Sequence, residues 1–189
     1  MNVPHAASVQ SSRNTREIRI AYARGVDRQH PPVAISVEPP RQPEVERLLD
    51  DSSADAQRLY PPESNFLLDM AALERPEVTF YVARDGDRAV GIAALVVDVE
   101  TASDAPPARG ELKRMFVDSE VRRRGVAGAL LGRIEADAAA RGIREVVLET
   151  GDLHHAAQAL YTRHGYRQIP QFGQYVGEPH SVCFAKTLR

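Results

Sequence analysis

The sequence predicts an α/β fold in which a mixed, mostly antiparallel sheet carries helices on both faces. Apolar residues alternate with the two-residue period of strands in some segments and with the 3.6-residue period of helices in others. These segments follow one another in the order β-α-α-β-β-β-α-β-α-β-β, and interleaved strands and helices are typical of layered α/β domains. Asp85-Gly86-Asp87 lies between two β-rich runs and is a hairpin signal, which predicts antiparallel pairing there.

The first half of the chain is predicted to contain one strand, two helices and the hairpin. Residues 33–38 alternate as a short strand. Residues 43–60 have helical spacing, and whether the helix breaks at 51–53 stays open. Residues 63–74 predict a second helix after a pair of prolines, and residues 78–100 predict the hairpin.

The second half is predicted to alternate strands with helices. A helical stripe follows Gly125 and stops at Gly142, which is typical of a helix ended by glycine. The other predicted elements are a loop at 101–109, strands at 110–118 and 144–150, a helix at 155–165, a strand from 166 and a final strand at 181–188.

Length and composition predict one domain from a reducing compartment. The chain has 189 residues, which we assign to a domain at 31–189 and a poorly ordered extension at 1–30. Cys183 is the only cysteine, which excludes an internal disulfide and favours a cytoplasmic location. The longest aliphatic run, residues 89–97, is too short to span a bilayer, so no membrane contact is expected. A net charge of −2 and 6% aromatic residues argue against nucleic-acid binding.

Three arginines precede Gly125, at the predicted start of a helix. Adjacent cations repel one another and gain nothing from the positive end of a helix dipole, so an anionic partner is expected. A strand, a glycine-containing turn and a helix together present backbone N–H groups to a phosphate, and Gly125 and Gly128 leave space for it. The segment has neither the Walker pattern nor the dinucleotide-binding glycine pattern. We therefore expect a pyrophosphate of another kind.

This segment, R-x-x-G-x-A at 122–127, resembles the signature of the GNAT family, the Gcn5-related N-acetyltransferases. ELKRMFVD, REVVLET and ALYTRHGY stand around it in the order in which that family places two strands and a helix. The resemblance covers roughly residues 33–189 and is most specific over 110–166. The C-terminal F-G-x-Y and S-V-C-F-x-K segments also resemble the YsnE-like bacterial subset.

The resemblance implies acetyl-CoA as the co-substrate and no metal. The backbone of Phe116 and Val117 would pair with the pantetheine arm as an added strand pairs with a sheet edge. Tyr161 matches the tyrosine that protonates the departing thiolate. His154 stands where the family often has Asn, so the hydrogen bond from that position to the cofactor stays open. The residues implied to hold the pyrophosphate are Arg122, Arg123, Arg124, Gly125, Val126, Ala127 and Gly128.

Acetyl transfer to an amine also needs a group that removes the amine proton. Glu111 is similar in placement to the glutamate that acts as general base in the histone-acetyltransferase branch. Glu149, on the next predicted strand, is the competing carboxylate, and Asp152 is a weaker one. The sequence leaves this choice open. His154 and His155 diverge as neighbours on a helix start, so they are not expected to share a metal.

Aromatic residues near the C-terminus predict the acceptor pocket. Phe172 and Tyr175 lie on the loop between the last two predicted strands, where the resemblance places the acceptor, and Glu149 is assigned to the same pocket. Rings there suit an apolar, aromatic or cationic acceptor, and covering the core is the alternative for both. Cys183 alternates with apolar neighbours and is expected to be a small core residue.

These observations predict an N-acetyltransferase that moves the acetyl group of acetyl-CoA to a primary amine of a small molecule or peptide by direct attack in a ternary complex. The alternative is a non-catalytic acyl-CoA-binding or sensor domain. A nucleic-acid binder acting through the arginines is a third interpretation, which the acidic pI of about 6.3 disfavours. The identity of the acceptor and a homodimeric state stay open.

Overall fold

The computed structural model describes residues 33–97 and 109–189, and they form one seven-stranded sheet. The strands are β1 (Ala34–Val37), β2 (Val78–Asp85), β3 (Arg88–Val97), β4 (Arg109–Val117), β5 (Glu145–Gly151), β6 (Arg167–Ile169) and β7 (Ser181–Thr187). The α-helices are α1 (Pro43–Leu59), α2 (Met70–Leu73), α3 (Val126–Ala140) and α4 (His155–Arg163). The predicted order of elements is confirmed.

The sheet is mixed and mostly antiparallel, as predicted. Its spatial order is β1-β2-β3-β4-β5-β7-β6, and only the β4–β5 pair is parallel. A parallel pair requires a crossover, and α3 supplies it between these two strands. The predicted hairpin joins β2 to β3 through Gly86 and Asp87.

Helices cover both faces of the sheet because its central strands are apolar on both sides. Tyr81 and Ala83 of β2 pack in the cluster that includes α3, whereas Phe80 and Val82 pack in the cluster that includes α1 and α2. Successive residues of a strand point to opposite faces, so one strand supplies both cores. The helix residues that fill the two cores are Val45, Leu48 and Leu49 from α1, Leu73 from α2, and Leu130, Leu131, Ile134 and Ala138 from α3.

The prediction of a helix over 63–74 is wrong in its extent. A 3₁₀ turn spans Pro62–Ser64, residues 65–69 are non-helical, and α2 is a single turn. The Asn65 side-chain amide donates to the carbonyl of Pro61 at 3.0 Å, and such local bonds compete with helix formation. The Asp69 side chain caps α2 by accepting from Ala72 N–H at 2.8 Å, so the helix begins only at Met70. The break that stayed open in α1 does not occur.

Two predictions fall outside the described residues. They are the poorly ordered extension at 1–30 and nearly all of the loop at 101–109. Within 33–97 and 109–189, no helix combines the length and the apolarity needed to cross a bilayer.

Candidate active site

A cleft opens where the two parallel strands part. β4 pairs with β5 from Arg109↔Glu145 to Leu112↔Leu148 and no further. Beyond that point β4 stays paired with β3, and β5 stays paired with β7 as far as Gly151↔Ser181. The gap between the diverging halves is the floor of a cleft of about 760 Å³, which the start of α3, the start of α4 and the segment at 64–67 also line.

The β4 side of the cleft is a free strand edge. Phe116 and Val117 pair with Ile92 and Gly91 of β3, and β5 has already left their other side. An unpaired strand edge presents backbone N–H and C=O groups to any extended ligand. The structure therefore places the two predicted pantetheine-binding residues on a suitable edge inside the cleft.

The α3 end of the cleft carries unpaired backbone donors. The first hydrogen bond of the helix runs from Ala129 N–H to the carbonyl of the N-cap residue, Gly125, at 3.0 Å. The N–H groups of Val126, Ala127 and Gly128 therefore have no acceptor within the helix. Gly125 has φ +82°, and Arg123 has φ +66°. This left-handed backbone turns the chain sharply into the helix, and donors at a helix N-terminus favour an anion.

The three arginines differ in what they contact, which the sequence did not predict. Arg122 donates to Asp55 of α1 at 2.9 Å and to the Val117 carbonyl at 3.2 Å. Arg124 donates to Asp85 of the hairpin at 2.9 Å and is not among the residues that line the cleft. Arg123 is exposed and lines it. Two of the arginines thus hold the loop to neighbouring elements, and Arg123 is the one best placed to meet a phosphate.

Tyr161 projects from α4 towards the cleft from the core. It is 5% exposed, its ring packs against those of Tyr166 and Phe184, and it lines the cleft. Burial, with a smaller effect of the Glu149 charge, raises the pKa of the Tyr161 hydroxyl. The hydroxyl therefore stays protonated at neutral pH.

His154 lies at the N-cap of α4 and also lines the cleft. Its ring is tilted against that of Tyr60, with centroids 5.6 Å apart, and burial lowers the pKa of its imidazole. The Tyr60 hydroxyl accepts from Leu153 N–H at 2.7 Å. A Cβ at Gly151 would overlap that hydroxyl oxygen, so this close approach requires glycine at the end of β5.

The two competing carboxylates occupy different surroundings. Glu149 lines the cleft and accepts from the Ser181 hydroxyl at 2.8 Å. Burial raises the pKa of its carboxyl group, with opposing effects from Ser181 and Lys113. Glu111 does not line the cleft, and its Oε1 accepts from the Tyr175 hydroxyl at 2.6 Å and lies 3.4 Å from Lys113 Nζ. The geometry favours Glu149 as the carboxylate that meets an acceptor.

The prediction that Phe172 and Tyr175 line the acceptor pocket needs a correction. Tyr175 is 1% exposed, its hydroxyl is bonded to Glu111 and Lys113, and Phe172 packs edge-on against its ring. Neither lines the cleft. Tyr175 instead fastens the β6–β7 loop to β4, because a buried hydroxyl must find partners and these two are nearest.

We expect Tyr175→Phe to lower the melting temperature by several degrees and to leave coenzyme A binding intact. The substitution removes one hydroxyl that bonds the buried Lys113 and the partly buried Glu111, a loss of about 1–3 kcal/mol. Thermal melts with and without coenzyme A measure both effects. A raised KM for the acceptor with an unchanged melting temperature would return Tyr175 to the acceptor pocket.

Several cleft residues escaped the sequence analysis. Lys113 and Arg114 are both 8% exposed and both line the cleft, as do Tyr60 and His180. A charged pair inside an apolar strand, K-R in ELKRMFV, was the available signal, since lysine and arginine are seldom buried without a reason. Tyr60 and His180 lie in proline-flanked loop segments that gave no such signal.

Comparison with known proteins indicates the same family that the sequence motif resembles. The family model described as "Acetyltransferase (GNAT) family" matches residues 45–166. An IAA acetyltransferase of Azospirillum brasilense is 37% identical over 158 residues, which are 84% of this chain and 99% of the relative. The N-acetyltransferase YsnE of Bacillus subtilis, named as uncharacterized, is 33% identical over 132 residues, 69% of this chain and 83% of its own.

A solved structure has the same fold. It is that of a Klebsiella pneumoniae protein described as a candidate acyl-CoA N-acyltransferase, with a TM-score of 0.67 and 30% identity over 83% of this chain and 98% of the other.

Proposed function

This chain belongs to the GNAT acetyltransferase family, and from that premise we propose that it is an acetyl-CoA-dependent N-acetyltransferase acting on a primary amine in a ternary complex. One observation carries the proposal. Glu149 of β5 and Tyr161 of α4, a potential base and a potential acid, line the same cleft as the free edge of β4 and the donors at the start of α3.

The residues of the cleft fit acetyl-CoA. The free edge at Met115–Val117 can pair with the amides of a pantetheine arm, and the N–H groups of 126–128 can bind a pyrophosphate. Arg123 adds a positive charge at the same end. A Cβ at Gly128 would lie 3.0 Å from the His164 ring, so glycine there keeps α3 close to α4 along the cleft wall.

We assign the removal of the amine proton to Glu149. When bound, acetyl-CoA supplies the thioester carbonyl carbon that the amine nitrogen attacks, with the coenzyme A thiol as the leaving group. An ammonium nitrogen has no free electron pair, so Glu149 first takes one proton from it and the neutral amine then attacks. The second proton that the nitrogen loses after the bond to carbon forms balances the proton that the departing sulfur gains. A carboxyl group whose pKa is raised towards neutrality is a better base for this step than one with an ordinary pKa.

We assign protonation of the departing sulfur to Tyr161. A Tyr161→Phe substitution should lower kcat by about tenfold and leave the affinity for acetyl-CoA nearly unchanged, because the hydroxyl acts as the thiolate forms. The effect is modest because a thiol with a pKa near 8.5 is already a fair leaving group. Tyr166→Phe, which alters the hydroxyl of the neighbouring ring, is the matched control. Equal kcat values for wild type and Tyr161→Phe across pH would remove Tyr161 from the mechanism.

Thiol release is the experiment that tests the proposed function. The purified protein is incubated with acetyl-CoA and each member of a panel of amines, amino acids and peptides. The panel also includes IAA, the compound in the name of one relative. Acceptor-dependent thiol release with a mass gain on the amine nitrogen supports the proposal. Coenzyme A binding by calorimetry without release for any amine would instead indicate the non-catalytic acyl-CoA-binding alternative.

A further inference from the structure

Arg114 is a buried cation with no ionic partner among the described residues. It is 8% exposed, and its guanidinium donates to the Leu49 carbonyl at 2.8 Å and to the Ser53 hydroxyl at 3.2 and 3.3 Å. Its Nε is buried without a hydrogen-bond partner. Burying a charge without a salt bridge is costly, and burial lowers the pKa of Arg114, with a smaller opposing effect from the charge of Asp50. Neutral partners on α1 alone do not require a charged side chain.

The backbone of β4 is bent to place Arg114 there. Arg114 has φ +53°, a left-handed conformation that costs a non-glycine residue about 1–2 kcal/mol. The β3–β4 register shifts at the same point, between the pairs Ile92↔Phe116 and Ala94↔Lys113. Residues 112–117 of β4 all line the cleft, and within this run the irregular Arg114 also reaches α1. Two successive cations, Lys113 and Arg114, therefore lie beside the cleft at the bulge.

The carboxylate across the gap is also unpaired. Glu149 accepts from the Ser181 hydroxyl but forms no salt bridge within the described ranges. The neighbouring Lys113 is already engaged by Glu111 and by the Tyr175 hydroxyl. One positive group on β4 and one negative group on β5 therefore lack ionic partners, on the two strands that diverge to form the cleft.

We infer that the acetyl acceptor is a zwitterion of the amino-acid class, whose primary amine meets Glu149 while its carboxylate lies on the Arg114 side of the cleft. The inference rests on the proposed function and deepens it. Arg114 also borders a second cavity of about 590 Å³, but Glu46, Asp50 and Asp69 line that cavity and would repel an anion. Arg123 and Arg163 line the main cleft and form no salt bridge among the described residues, so the cleft side favours the carboxylate.

Matched acceptors that differ only in the carboxylate test the inference. Free amino acids are compared with their carboxamides, which keep the amine and the side chain. For the amino acid that the wild type uses best, we expect kcat/KM to be at least tenfold higher than for its carboxamide. Arg114→Gln should raise the KM for the acid about tenfold or more. The KM for the carboxamide should stay nearly unchanged, and the KM for acetyl-CoA should stay within about twofold of the wild-type value. Arg114→Lys, which keeps the charge, should retain part of the preference.

Arg109→Gln is the control for charge. Arg109 lies at the other end of β4, is about half exposed and pairs with Glu145, so its loss should not alter the acid-to-carboxamide ratio. The inference is overturned if the wild type has the same kcat/KM for carboxamides as for acids. It is also overturned if Arg114→Gln lowers kcat/KM for the acid and for the carboxamide by the same factor. The wild-type comparison needs no variant, so it decides the matter even if Arg114→Gln fails to fold.

A binding measurement separates this inference from the proposed function. Thermal melts are recorded with coenzyme A and millimolar concentrations of each acid or carboxamide. A melting-temperature rise with acids that is absent with carboxamides and lost in Arg114→Gln supports the carboxylate site even if no thiol is released. Turnover of simple amines with no acid-specific effect in either assay would leave the proposed function standing and overturn the inference.

Discussion

Glu149→Gln is expected to lower kcat/KM for a cationic amine by about a hundredfold or more, the usual contribution of a positioned general base. The amide of glutamine can still accept from the Ser181 hydroxyl, which Glu149 accepts at 2.8 Å, so the local hydrogen bond is kept. What is lost is the group that can take a proton. Steady-state kinetics across pH, with thiol release as the readout, measure the change.

The pH dependence has a definite sign. Burial raises the pKa of Glu149, so its carboxyl group loses its proton in a pH interval above the ordinary carboxyl range. The fraction of protein that carries Glu149 as a carboxylate, the form that acts as a base, rises with pH through this interval. The wild-type kcat/KM should therefore have an acidic limb in that interval, and Glu149→Gln should lack it. The raised pKa also means that the folded protein binds this proton more tightly than the unfolded chain, so the free energy of unfolding falls as pH rises through the interval. At neutral pH the melting temperature of Glu149→Gln should equal or exceed that of the wild type.

Glu111→Gln is the matched control, since it removes the same charge from the adjacent strand. It should keep the acidic limb, because Glu111 is bonded to Tyr175 and does not line the cleft. It should also lower the melting temperature, since the buried Lys113 ammonium loses its charged partner, although a glutamine can still accept from the Tyr175 hydroxyl. An acidic limb lost in Glu111→Gln and kept in Glu149→Gln would reverse our assignment of the base.

Gly125→Val is expected to raise the Kd for coenzyme A at least tenfold and to abolish its stabilising effect in thermal melts. The φ of +82° at Gly125 is unfavourable for a β-branched residue, so the loop should leave the conformation that presents the N–H groups of 126–128. A Cβ there would meet no protein atom within 4 Å, so the expected loss comes from the backbone conformation and not from a clash inside the protein. Isothermal titration with coenzyme A measures the loss.

Gly177→Val controls for the backbone cost of the substitution. Gly177 has φ +88° and is exposed, and a Cβ there would also meet no protein atom within 4 Å, but it lies on the β6–β7 loop outside the cleft. It should lose stability as Gly125→Val does and bind coenzyme A like the wild type. Equal coenzyme A affinity in wild type and Gly125→Val would show that the α3 loop does not hold the pyrophosphate.

Most of the strands and helices that surround the cleft could be predicted from local sequence. Apolar periodicity located every strand and three of the four helices to within a few residues, because a half-buried element must repeat its apolar residues with its own period. The glycine in R-x-x-G-x-A predicted the turn before α3, since few other residues adopt φ near +80°. The helix predicted over 63–74 failed because the apolar residues at 66–68 line cavities and do not form a helical stripe.

The pairing of charged side chains depended on tertiary structure. Arg124 and Asp85 are 39 positions apart and meet only because the hairpin lies beside the α3 loop. The Tyr175 hydroxyl bonds Glu111 and Lys113, over 60 positions away, whereas the sequence predicted that Tyr175 lines the acceptor pocket. Long side chains can reach many partners, and their sequence neighbours do not say which ones the fold brings near.

The sequence alone determined the order of strands and helices, the glycine turn before α3 and the family, because each depends on local periodicity, glycine conformation or a short motif. Only the tertiary structure showed that Glu149 lines the cleft while Glu111 does not, and that Arg114 is buried. Both glutamates lie on similar apolar strands, but β4 and β5 separate after Leu112↔Leu148, which leaves Glu149 at the opening and Glu111 in the paired region. Where two strands part is a property of the whole sheet, set by the bulge at Arg114 and by the pairing of β5 with β7.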